Sequence, residues 1–193
     1  MTDIKFDPKK LHKLNNPERL KDISPEYIQS KLHLKQSDII IEIGAGTAFF
    51  CKAFHDLLKP SVIYACDVSD IMIQWINENV TQEYPDVIPV KSMESSIPLE
   101  SNLANLVYMI NLHHELEHPD LIINESFRLL KPGGKIFIAD WLKKEMNEGP
   151  PLGIRHLPEN VKNQLENAGF DSVHISGGLP KHFLVVGKKH SDF

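Results

Sequence analysis

Ile39-Ile40-Ile41-Glu42-Ile43-Gly44-Ala45-Gly46-Thr47-Ala48-Phe49 decides how the rest of the chain is read. A short β-branched run broken at once by glycines is the pattern of a buried strand ending in a tight turn. Gly44 and Gly46 let the backbone approach a ligand where a side chain would collide. A helix expected over residues 47–58 offers free backbone N–H groups at the same place. Asp67 ends the next apolar run, Val62 to Cys66, roughly twenty residues further on. In open parallel sheets an acid there faces the ribose hydroxyls of an adenosine ligand. The alternative reading gives Gly44 and Gly46 only a turning role and makes Asp67 a cap for the following helix.

Outward from this stretch, strands and helices alternate. Residues 69–79 have one apolar face made by Ile71, Met72, Trp75 and Ile76. Short strands are expected over 87–90, 103–110 and 135–141, and helices over 119–130 and 158–168. This alternation implies an α/β fold: a mostly parallel sheet covered on both faces. Strands near 170–175 and 182–187 are joined by too few residues for a crossover, so they must form an antiparallel hairpin at the sheet edge. Before the first strand, residues 1–36 are polar, in short helical pieces punctuated by Pro8, Pro17 and Pro25. They are expected to form a helical cap, with residues 37–193 as the ligand-binding domain. Lys9, Lys10, Lys13, Arg19 and Lys21 in the cap read as the wet face of short helices.

The 193 residues carry a net charge of −5, which argues against a general affinity for nucleic acid. Cys51 and Cys66 sit in apolar-periodic segments and read as buried thiols of a reducing compartment. Met1 to Lys10 has no apolar stretch of the kind that opens a secretory signal, and no run approaches membrane-spanning length. The expected location is the cytoplasm, with no membrane partner.

A dinucleotide turn, G-x-G-x-x-G, would need glycine at position 49, where Phe49 stands, so a nucleotide-dependent oxidoreductase is disfavoured. Glu42-x-Gly44-x-Gly46-x-Ala48 instead resembles motif I of class I S-adenosylmethionine-dependent methyltransferases. Tyr64 to Met72 resembles the family's next segment, and Leu129-Leu130-Lys131-Pro132-Gly133-Gly134 its turn before the fifth strand. The antiparallel last strand is also a family hallmark. The style is that of small ubiquinone/menaquinone-biosynthesis-like (UbiE-type) methyltransferases, over about residues 34–189. The resemblance implies a Rossmann-like three-layer αβα sandwich with a seven-stranded, mostly parallel sheet and an antiparallel seventh strand. It also implies S-adenosylmethionine as cofactor, with Glu42, Gly44, Ala45, Gly46, Asp67, Val68, Met72, Met93, Glu94 and Asn111 around it. Three positions depart from the pattern. Ala48 replaces a third glycine, Met93 precedes Glu94 where an acid is usual, and Asn105 stands for an acid read here as structural.

Asn111-Leu112-His113-His114-Glu115-Leu116-Glu117-His118-Pro119 contains a literal H-E-x-x-H. Zinc ligation through that motif requires one unbroken helix, whereas Pro119 places it in the loop before a helix. In the methyltransferase reading the loop borders the acceptor, and a histidine suits proton removal from an alcohol, phenol, thiol or carbon acid. His114 and Asp140 are the candidate bases; His113, Trp141, Arg155 and His156 are candidate acceptor contacts, Arg155 and His156 otherwise being solvated loop charges. Residues 142–157, with Gly149-Pro150-Pro151 and Gly153, read as a lid over the cleft. The function expected is methyl transfer to a small-molecule acceptor, with room for a homodimer. The alternatives are a non-catalytic adenosine-ligand-binding protein and a zinc hydrolase.

Overall fold

A computed structural model describes residues 11–34 and 38–191. Lys9, Lys10, Pro8, the stretch Met1 to Lys10 and the division expected at 36/37 lie outside the described residues. Three short helices come first: α1 (Leu11–Leu14), α2 (Arg19–Asp22) and α3 (Pro25–Leu32). Ser24 caps α3 through Tyr27 N–H and Pro25 fits its first turn. There follow β1 (Ile39–Ile43), α4 (Phe49–Leu58), β2 (Val62–Asp67), α5 (Asp70–Asn79), β3 (Val87–Lys91) and β4 (Ala104–Ile110). The chain ends with α6 (Pro119–Leu129), β5 (Leu130–Trp141), α7 (Pro158–Asn167), β6 (Phe170–Ser176) and β7 (His182–Lys189).

The strands form one sheet in the order β3-β2-β1-β4-β5-β7-β6. β7 alone runs antiparallel, between β5 and β6. The six others share one direction. The hairpin expected from loop length is therefore present, and its second strand is inserted beside β5. Because the order reverses next to β1, the crevice beyond the carboxyl ends of β1 and β4 is where such a sheet binds ligands.

Period-two alternation sorts the strand side chains into two cores. Ile40, Tyr108 and Phe137 face α3, α4 and α5, meeting Ile28, Phe54 and Ile76. Ile41, Val107 and Ile138 face α6 and α7, meeting Ile123 and Val161. Tyr108 and Phe137 stack with centroids 4.8 Å apart. The same alternation turns Glu42 toward the α4 side. Asn105 plays the structural part expected of it, accepting from Ile39 N–H at 3.1 Å.

Some boundaries differ from expectation. β5 begins at Leu130 instead of Lys135, because Leu130 pairs with Ala104 and the strand carries Lys131-Pro132-Gly133-Gly134, with Gly133 at φ 80°, as an irregularity in its pairing. α4 begins at Phe49, since Ala48 adopts φ 56° and belongs to the turn. That conformation costs an L-residue roughly 1–2 kcal/mol. The Ala48 methyl is fully buried in return, which explains how alanine stands where glycine is usual. Among the described residues no helix is long and apolar enough to cross a membrane.

Candidate functional site: a cleft at the carboxyl ends of the strands

A cleft of about 1060 Å³, including the space open to solvent at its mouth, lies beyond the ends of β1, β2, β3 and β4. All ten residues read from the sequence as a cofactor shell line it, from Glu42 and the glycine turn through Asp67, Val68 and Met72 to Met93, Glu94 and Asn111. Their order along the cleft follows the strand order. Met93 and Glu94 follow β3, Asp67 ends β2, the glycine turn follows β1 and Asn111 follows β4.

Asp67 is 9% exposed. Its Oδ2 accepts from Gly46 N–H at 2.8 Å and its Oδ1 from Ser69 N–H at 2.9 Å. It thus ties the glycine turn to the start of α5, so a capping role and a place on the cleft wall coexist. Burial pushes its pKa above the usual aspartate value, against these donors and Lys91. Met93 N–H donates to Ser96 O at 2.9 Å. Glu42 is buried beneath the turn, accepting from Cys51 Sγ–H at 2.8 Å and Tyr108 O–H at 3.1 Å. Burial raises its pKa to about 7 despite those bonds and the charge of Arg19.

The side chains read as bases or acceptor contacts sit behind this cleft, and none of the six lines it. His114 Nδ1–H donates to Asp140 Oδ1 at 2.8 Å, and His114 N–H to Asp140 Oδ2 at 3.0 Å. Burial disfavours the charged imidazole, but the Asp140 bond and charge prevail and raise its pKa. Burial likewise disfavours the Asp140 carboxylate, yet its donors, His114 foremost, hold it below the usual range. Nε2 of His114 lies 3.7 Å from Glu115 Oε1, and Glu115 does line the cleft. The dyad therefore lies one side chain away from the cavity.

His113 is fully buried, with Nε2–H donating to Gln164 Oε1 at 2.8 Å and its ring edge-on to His156 at 4.8 Å. It meets α7 through Gln164, and neither it nor His156 lines the cleft. Arg155 is not a solvated charge. It is 4% exposed, and its guanidinium donates to the carbonyls of Pro150, Leu142, Lys144 and Glu148 at 2.8–3.2 Å. Those bonds shape the 142–157 segment, which has one short 3₁₀ turn at Leu152–Ile154. Trp141 packs against His182, ring centroids 4.4 Å apart.

The H-E-x-x-H stretch lies in the expected loop. A single 3₁₀ turn covers His113–Glu115, Leu116 is extended, and α6 starts only at Pro119. His114 and His118 are thus not one helical turn apart, and among the described residues no three potential ligands gather around a metal site.

Three features escaped the sequence reading. Arg19 lines the cleft, stacked over Phe50 at 4.7 Å, instead of facing water. Lys181 bridges Asp22 of α2 and Glu148 of the 142–157 segment, at 2.8 and 2.7 Å. His182 is buried, with both ring nitrogens unpartnered among the described residues, and burial lowers its pKa to about 4. Helices of four residues are too short for periodicity to tell an inward arginine from an outward one.

A seven-stranded sheet with this order, a glycine turn after β1 and an acid ending β2 define a class I S-adenosylmethionine-dependent methyltransferase. Residues 41–138 match the family profile described as "Methyltransferase domain", and the chain belongs to that family. An S-adenosylmethionine-dependent methyltransferase from Aquifex aeolicus superposes with a TM-score of 0.88 at 30% identity, over 96% of this chain and 100% of that one. The ubiquinone/menaquinone biosynthesis C-methyltransferase UbiE of Neisseria meningitidis is 25% identical over 76% of this chain and 74% of its own. Human N-acetylserotonin methyltransferase, solved in complex with S-adenosylmethionine, shares the fold: TM-score 0.76, 15% identity, 95% of this chain and 55% of that one.

The cofactor is S-adenosylmethionine, and the cleft fits it. Asn111 Oδ1 and Thr47 Oγ1 are buried on its wall without a partner among the described residues, where a ligand bearing an ammonium and hydroxyls would satisfy them. A Cβ on Gly44, at φ 72°, would come within 2.8 Å of Leu112. The positive φ and the displacement of Leu112 that a side chain would force both favour glycine there.

Proposed function

We propose that the protein transfers a methyl group from S-adenosylmethionine to a small-molecule acceptor that gives up a proton, with His114 as the base. One observation carries this reading: a histidine–carboxylate dyad, held at 2.8 Å and nearly closed to water, stands directly behind the wall of the cofactor cleft. When bound, the cofactor supplies an electrophilic methyl on a sulfonium. The residues of this chain hold it, position the acceptor and take the proton.

Gly44 to Gly46, Asp67 and Asn111 are assigned the cofactor, with Asp67 on the ribose and Met72, Met93 and Glu94 around the adenine. Asp140 fixes the His114 ring and its tautomer, leaving Nε2 directed toward Glu115 and the cleft. Alignment of nucleophile and methyl supplies most of the rate in such a displacement, and proton removal adds to it. The acceptor is placed between the loop after β4 and the cover made by the cap and residues 142–157, which Lys181 joins. The UbiE relatives methylate carbon, as their name states, and a carbon acid is one of the acceptor types that needs a base. The net charge of −5 suits a cytoplasmic enzyme of small molecules rather than one acting on nucleic acid. The test is a screen of phenols, enolisable ketones, thiols and alcohols with cofactor labelled in its methyl group. Transfer by the wild type and a loss of transfer in His114→Ala, with cofactor affinity retained, is the expected result. Equal turnover by the two proteins would remove His114 from the reaction.

A further inference from the structure

Arg19 is a partly buried cation to which the described residues bring no matching opposite charge. It belongs to the cap, on the short helix α2, yet it lines the cofactor cleft. Its guanidinium lies over the rings of Phe50 and Phe49, at 4.7 and 5.4 Å, and Nη1 donates to Leu14 O at 2.5 Å. Among the described residues no carboxylate oxygen lies within ion-pair distance of it. The acid whose charge it does feel, Glu42, is committed to Cys51 and Tyr108. Burial lowers the Arg19 pKa to about 10, which leaves it cationic at neutral pH. A guanidinium has five N–H donors in a planar fork suited to a carboxylate, and a buried cation without an anion is costly.

Its place along the cleft identifies the anion. Arg19 stands at the start of α4, over Phe49 and Phe50, and Leu14, whose carbonyl it holds, approaches the Cβ position of Gly46 to 3.1 Å. Met93 and Glu94 lie across the sheet beyond β3, with Asp67 between. If the adenosine occupies the β3 and β2 side, the amino-acid tail falls between the glycine turn, the unpartnered Asn111 Oδ1 and Arg19. That tail has one ammonium and one carboxylate.

We propose that Arg19 clamps the carboxylate of the cofactor's methionyl tail, so that the cap segment is part of the cofactor site. The assignment rests on the function proposed above and deepens it. It makes the cap a reader of the intact cofactor: a ligand lacking the carboxylate loses the Arg19 contact and keeps all others.

The test compares S-adenosylmethionine with its decarboxylated form by titration calorimetry on the wild type, Arg19→Met and Arg19→Lys. Charge-assisted bonds of this kind predict that the wild type binds the intact cofactor roughly 10- to 100-fold more tightly. Arg19→Met should bind the two ligands alike, with its affinity for the decarboxylated ligand kept within about twofold, and Arg19→Lys should fall between. Wild-type protein that does not distinguish the ligands would overturn the proposal without any variant being needed. Equal weakening of both ligands in a folded Arg19→Met protein would also overturn it, since that marks a purely structural role. If the wild type binds neither ligand, the methyltransferase reading and this assignment fall together.

Discussion

Replacing Asp67 by alanine separates the cofactor assignment from a merely structural one. The carboxylate accepts from Gly46 N–H and Ser69 N–H, at 2.8 and 2.9 Å, at the edge of the cleft. Its two oxygens retain lone pairs for a ribose diol, and hydrogen bonds to a charged acceptor contribute about 1.5–3 kcal/mol each. A loss of at least ~2 kcal/mol, or roughly 30-fold in Kd, is therefore expected for S-adenosylhomocysteine. The variant also strands two backbone donors, at a cost to folding of about 1–3 kcal/mol apiece. Calorimetry must accordingly be run well below a separately measured Tm. Asp67→Asn keeps one acceptor oxygen and should fall between. Because burial raises the Asp67 pKa, affinity should decline on acidification from a higher pH than for an exposed aspartate. A folded Asp67→Ala protein that binds the ligand within threefold of wild type would refute the placement.

Glu42 should make the fold less stable as pH rises. Its folded pKa of about 7 exceeds the reference 4.5, so folding favours the protonated form and stability falls between those two pH values. The shift corresponds to about 3 kcal/mol, so Glu42→Gln should raise Tm by several degrees at pH 8 and by little at pH 5; scanning calorimetry at both would show it. His114→Ala should lower kcat by about 10²- to 10⁴-fold with cofactor Kd unchanged. Asp140→Asn removes the charge that raises the His114 pKa, so the acid limb of the kcat profile should move to lower pH; an unmoved limb would detach the dyad from catalysis. Gly44→Ala should cost about 1–2 kcal/mol of stability from its positive φ alone and push Leu112 into the cleft, which equilibrium unfolding and calorimetry would register.

The parts of the fold legible in the sequence are those fixed by local chemistry. The four isoleucines around Glu42 allow little but a buried strand, and Gly44 and Gly46 turn it where a side chain would not fit. The loop before β7 is too short for anything but a hairpin. The cleft's lining followed, because strand ends and the residues after them determine it. Side chains whose meaning depends on where a loop lies were not legible. Arg155 has the look of a loop charge, and only the folded 142–157 segment shows four carbonyls converging on it. His113 and His114 are neighbours in sequence, yet one faces Gln164 and the other Asp140. Arg19 was legible as a cation, but its direction is set by the tertiary packing of the cap.

Calorimetric titration of the wild-type protein with S-adenosylmethionine and S-adenosylhomocysteine, with NADH as control, asks whether the cleft takes the cofactor assigned to it. Saturable one-to-one binding of the first two and none of NADH is expected. Failure of both to bind folded protein would contradict the assignment, and so would binding of NADH alone.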